Sequence, residues 1–276
     1  MSKMSVKLSP EQLRFLVRVG VFLVLILAGR MVFPVLLQTA GNPLMASALS
    51  SFLTAATANF VVVRGWERGK AADCGLDWTA RTGRDLVCGL IGGAGSASLI
   101  VGGALAVHAA AFEATEGAEL LWANIPYLLV LLLFGAIGEE LMFHGYGFQA
   151  LARQLGAFAT VLPVGVLFGL AHAGNPGANG VAILNTIAWG VLLGCAYVRT
   201  KALWLPIGLH FGWNAATPFL GVNLSGFTIG VAGYTLRWNV SDMWSGGAYG
   251  LEGGLVTTGI VAALFVLLYR VIPDSE

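Results

Sequence analysis

The sequence predicts an all-α fold: a polytopic bundle of about eight transmembrane helices with a polar cavity in its core. Of 276 residues, 57% are hydrophobic and only 11% charged, against roughly 25% charged in a soluble domain. The mean hydropathy is +0.79. Apolar runs recur along the whole chain, and at about 20 residues per crossing there is room for about six to nine helices and no separate soluble domain. Residues 1–276 therefore read as a single membrane-embedded domain whose first partner is the lipid bilayer.

The runs fall at about 15–38, 44–63, 85–108, 120–137, 158–172, 180–198, 203–220 and 255–272. The first follows a basic preface of Lys3, Lys7, Arg14 and Arg18. It is too long for the apolar region of a signal peptide, and no small-residue cleavage site follows closely, so a retained anchor is expected. In the later runs Gly89/Gly93, Gly165/Gly169, Gly190/Gly194 and Gly208/Gly212 stand four apart. Lipid gives helices no hydrophobic reason to associate, and such glycines let backbones approach closely. The net charge of +1 excludes the basic surface that nucleic-acid binding requires. Cys74, Cys88 and Cys195 lack metal-knuckle spacing and read as packing residues.

Lys and Arg concentrate in alternate connections: the N-terminus, Arg64 to Arg84, Arg153, Arg199/Lys201 and Arg270. The connections at 39–43, 109–119, 173–179 and 221–254 are poor in them, so both termini are expected in the cytoplasm. Segment 221–254, with Trp238 and Trp244, reads as an extracytoplasmic loop near the interface. The integral membrane would be a bacterial or archaeal plasma membrane.

Chemistry concentrates in three polar islands. Glu139 and Glu140 close an apolar run that begins at Leu120, in the string Phe134-Gly135-Ala136-Ile137-Gly138-Glu139-Glu140-Leu141-Met142-Phe143-His144. One acid at a helix centre costs roughly 2.5–3.5 kcal/mol on translocon scales, so an acid pair there marks a functional site. A helix stopping at Gly138 would leave both acids in the headgroups, but the apolar residues on to Leu151 predict that it continues. Glu140 and His144, four apart, share a helix face, whereas Glu139 is turned about 100° away. One acid can then face a cavity while the other pairs with a neighbour. His172 ends the next run before the turn Gly174-Asn175-Pro176-Gly177, and taken alone it reads more readily as a cap or interface residue. His210 and Asn214 lie four apart inside a later span and share a face. Together they could hold the negative oxygen of an attacked carbonyl, or merely hydrogen-bond neighbouring helices.

A glutamate pair followed four positions on by a basic residue, then Phe168-x-x-x-His172, then His210-x-x-x-Asn214, resembles the type II CAAX prenyl endopeptidase family. Its bacterial branch is known as the CAAX protease and bacteriocin-processing, or ABI, family. The likeness runs from about Leu128 to Leu220, within a catalytic core at 120–220. It implies an intramembrane protease in which Glu139 activates water, His172 positions it, and His210 with Asn214 forms the oxyanion site. Glu140 matches the supporting second acid, and Phe168 and His144 are supporting residues. His144 stands where the family usually has Arg. The substrate implied is a peptide or protein, such as a lipidated C-terminal tail or a peptide leader.

No Ser or Cys shares a comparable polar island, which favours water attack over a covalent intermediate. No cofactor is favoured. A zinc site of Glu139, His172 and His210 is the alternative mechanism, although His-Glu-x-x-His is absent. Proton-coupled transport and a non-catalytic scaffold are the alternative functions; no repeated halves of the transporter kind are visible. With Glu139 near the Arg153 end of its span and His210 near the Lys201 end, the cavity is expected to open toward the cytoplasm.

Overall fold

In the computed structural model, residues 8–38, 43–115 and 124–273 are described. Lys3 and Lys7, the beginning of the run from Leu120 and parts of the 39–43 and 109–119 connections lie outside them. The helices are α1 (Pro10–Leu37), α2 (Pro43–Gly65), α3 (Thr82–Ala106), α4 (Ile125–Phe143), α5 (Tyr146–Leu155), α6 (Ala157–Ala171), α7 (Gly180–Thr200), α8 (Trp204–Phe219), a single turn α9 (Asp242–Ser245) and α10 (Leu255–Val271). Five stretches are long and apolar enough to cross a membrane: α1, α2, α3, α4 with α5, and α7. Helices α6 and α10 are shorter apolar helices, and α8 is the polar-bearing helix of His210 and Asn214. Each of the eight apolar runs in the sequence becomes a helix, its ends shifted by a few residues.

The chain also forms one feature that hydropathy does not signal. Strands β1 (Ala110–Ala114) and β2 (Tyr234–Trp238) pair antiparallel, with Phe112 opposite Leu236. Segment 221–254 is thereby tied to the connection after α3. The two strands, separated in sequence by helices α4 to α8, close each other's backbone hydrogen bonds at one end of the bundle.

Glycine sets the helix packing. A Cβ on Gly89 would lie 2.8 Å from Gly208 Cα, and one on Gly212 would lie 2.6 Å from Leu90 O. Helices α3 and α8 thus touch backbone to backbone, the close approach that small residues permit in lipid. A Cβ on Gly165 would meet Val191 of α7, and one on Gly190 would lie 3.0 Å from Gly165 Cα, so α6 and α7 join in the same way. On α4, Gly138 packs against the α2 backbone at Ser51 and Phe52. Outward-facing apolar residues such as Leu23, Leu27 and Met31 of α1 would be untenable in water and suit lipid.

Candidate active site

Helix α4 runs through both glutamates and ends at Phe143, so the acids are not at a helix end. The predicted continuation toward Leu151 is interrupted once, at His144 and Gly145, before α5 begins. Asn59 of α2 holds this break: its Nδ2 donates to Leu141 O at 2.9 Å, and its Oδ1 accepts from Tyr146 N at 2.8 Å. Asn59 is a structural residue that the sequence alone did not reveal.

The two acids part as their 100° offset requires. Glu140 is 0% exposed. Its Oε2 accepts from His144 Nδ1 at 2.8 Å and its Oε1 from His210 Nδ1 at 2.8 Å. His144 Nε2 lies 3.2 Å from the carbonyl oxygen of Gly190. Both nitrogens of His144 therefore face oxygens, one on the Glu140 carboxylate and one on the backbone of α7. Glu140 and His144 form a buried strut between α4, α7 and α8.

Glu139 faces the other way, with its side chain 28% exposed. Its Oε2 is 3.7 Å from His172 Nε2 and 3.7 Å from His210 Nε2. These separations exceed a hydrogen bond, and this oxygen, itself buried, has no hydrogen-bond partner among the described residues. His172, the cap of α6, turns its Nδ1 onto Phe168 O at 2.8 Å. Each Nδ1 is thus engaged behind its ring, by a carbonyl at His172 and by a carboxylate at His210. Both Nε2 atoms converge on Glu139. Phe168 is the wall against which the imidazoles lie: its ring centroid is 4.9 Å from His172, 5.9 Å from His210 and 6.4 Å from His144.

A cavity of about 260 Å³ brings together Glu139, Phe168, His172, His210 and Asn214 from three separate helices. Glu140 and His144 lie behind it. Its lining includes Leu44, Asn175, Leu224, Phe227 and Glu252, which belong to or adjoin the Lys- and Arg-poor connections. Among the described residues, none of the basic connections contributes. The lining thus adjoins the Lys- and Arg-poor connections, because α6 carries His172 at the end away from Arg153 and segment 221–254 folds inward as a wall.

That wall adds a third acid, Glu252. Its Oε1 accepts from Trp213 Nε1 at 3.0 Å and Ser225 Oγ at 3.2 Å, and burial pushes its carboxyl above the usual carboxylate range. The turn that delivers it needs Gly246 and Gly250, at φ 92° and 100°, where a side chain would be strained. Arg30 of α1 also reaches the cavity. Neither was singled out in the sequence, although an arginine inside an apolar run was a usable signal. Cys88 and Cys195 form no disulfide among the described residues. Burial pushes the Cys74 thiol up to about 11, which leaves it a poor nucleophile.

The fold and its centre define a class: a polytopic membrane protein with a carboxylate and imidazole cluster enclosed by its helices. Residues 121–216 match the family model of the type II CAAX prenyl endopeptidase Rce1-like proteins. The matched segment contains Glu139, Glu140, His144, Phe168, His172, His210 and Asn214, whereas Arg30 and Glu252 fall outside it. Among curated proteins, none matches the chain.

Proposed function

We propose that the protein is an intramembrane endopeptidase that hydrolyses a peptide bond with water activated by Glu139. The observation that carries this reading is the convergence of Glu139 Oε2 with the Nε2 atoms of His172 and His210 at 3.7 Å each, a spacing suited to one shared water. With its Nδ1 proton donated to Phe168 O, a neutral His172 offers the Nε2 lone pair to that water. Glu139 takes a proton as the water oxygen bonds to the carbonyl carbon. The oxyanion then receives hydrogen bonds from the Asn214 amide and from His210 when its Nε2 carries a proton. As the C–N bond breaks, Glu139 returns its proton to the leaving nitrogen. The substrate class that fits the family match is a peptide or protein segment, a lipidated C-terminal tail or a peptide leader. With both termini cytoplasmic, the cavity faces the extracytoplasmic side of a bacterial or archaeal plasma membrane.

The test compares membrane proteomes of cells carrying wild type and Glu139→Gln. Uncut precursors of one or a few proteins should accumulate in the variant, with matching cleaved termini only in wild type. Identical profiles would refute the peptidase reading.

One observation supports a second mechanism. Histidines that bind metal commonly donate their other nitrogen to a carbonyl or carboxylate, as His172 and His210 do. In this reading Glu139 and the two imidazoles would be the zinc ligands, although among the described residues no three such side chains are set as a metal site. Cleavage by the glutamate mechanism survives prolonged chelation, whereas stoichiometric zinc in wild type, lost in His172→Ala together with activity, would establish the metal.

A further inference from the structure

We propose that Arg30, together with the hydroxyls of α2, forms a carboxylate-binding subsite that holds the free C-terminal end of the peptide whose scissile bond lies at Glu139. The proposal rests on the peptidase reading and deepens it. Arg30 lies in the last third of α1, in an apolar helix where a guanidinium is costly unless it has a partner or a task. It enters no salt bridge among the described residues. Among the described residues it is the one Lys or Arg in the lining of the Glu139 cavity, and it also lines a second cavity of about 430 Å³ between α1 and α2. Ser47 and Ser51 border both cavities, so the two adjoin.

The walls around Arg30 are polar for a helix pair in lipid. Ser47, Ser50, Ser51 and Thr54 stand along one face of α2. Ser50 and Thr54 are buried, and both hydroxyls lack a hydrogen-bond partner among the described residues. Buried hydroxyls are ordinarily satisfied, so two idle ones beside an unpaired guanidinium point to an oxygen-rich anion.

The connection to Glu139 is short. Gly29, next to Arg30, packs on Thr54, and Ser51 packs on Gly138, next to Glu139. A peptide lying in the cavity with its scissile carbonyl at Glu139 can therefore extend its far end toward Arg30. A planar carboxylate suits the guanidinium's bidentate fork. Between the two sites the lining is apolar, with Leu131, Leu132 and Met142, which suits apolar side chains.

The test uses full-length protein in nanodiscs of neutral phosphatidylcholine and the probe dansyl-Gly-Leu-Leu, as free acid and as C-terminal amide. Binding is read by fluorescence anisotropy in a Glu139→Gln background, so that turnover does not enter. The acid should bind about tenfold tighter than the amide, as a charge-assisted pair warrants. Adding Arg30→Gln should abolish that preference, and Arg30→Lys should restore part of it. Equal binding of acid and amide, or an acid preference that survives Arg30→Gln, would overturn the subsite. Competition of the acid by phosphatidylglycerol nanodiscs, with no acid preference in neutral lipid, would instead assign Arg30 to a lipid phosphate and overturn the proposal. Arg30-dependent acid binding without cleavage of longer peptides by the Glu139-intact protein would sink the peptidase reading and leave the anion site standing. Cleavage indifferent to the C-terminal group would do the reverse.

Discussion

Glu139→Gln should lower peptide hydrolysis by about 10²–10⁴-fold, the usual contribution of a general base, while the fold survives. The carboxylate oxygen nearest the imidazoles makes no hydrogen bond within the protein among the described residues, and the side chain is partly exposed to the cavity, so the isosteric amide removes a proton acceptor without removing a support. The loss should fall on kcat with KM nearly unchanged, because the group acts in the transition state. Purified wild type and variant, compared on a cleavable peptide and by thermal unfolding, provide the check. A variant with wild-type kcat would remove Glu139 from the chemistry.

Glu140→Ala should fail differently. This carboxylate is fully buried and accepts from two imidazoles, so truncation leaves both ring nitrogens facing an apolar gap. Breaking a buried charged pair by deleting one partner costs about 3–5 kcal/mol, and His210 would lose the bond that fixes its Nδ1 proton and aims Nε2 at the site. The expected result is a large fall in thermal midpoint together with loss of cleavage. His144→Ala removes one of those two donors, with an expected cost of about 1–3 kcal/mol, and should retain more activity than Glu140→Ala because the His210 bond survives. If Glu140→Ala unfolds at the wild-type temperature, the strut between α4, α7 and α8 is not what supports this region.

The helices and most of the site were legible because their causes are local. A run of apolar residues becomes a helix wherever it lies, and spacings of three or four residues fix which side chains share a face, which is why Glu140 with His144 and His210 with Asn214 could be read from the chain. The separate roles of the adjacent acids followed from the same geometry. What escaped depended on contacts distant in sequence. Nothing near Ala110 says that Trp238 will be its strand partner, and nothing near Glu252 says that its turn folds back onto Trp213. The lining of the cavity escaped for that reason: the depth of a polar residue can be read along its own helix, whereas the wall around it is decided by how α6, α8 and segment 221–254 assemble.

Part of the cavity wall comes from stretches of the chain that the family match does not reach. Arg30, Ser47 and Ser51 precede residues 121–216, while Leu224, Phe227 and Glu252 follow them. On the proposed reading, the reacting groups all lie in the matched segment, while part of what the cavity selects is written in the stretches that flank it. The central segment can keep its glutamates and histidines under strict geometric constraint while the flanking helix pair and the glycine-hinged turn change, so proteins sharing this centre need not share what they admit to it.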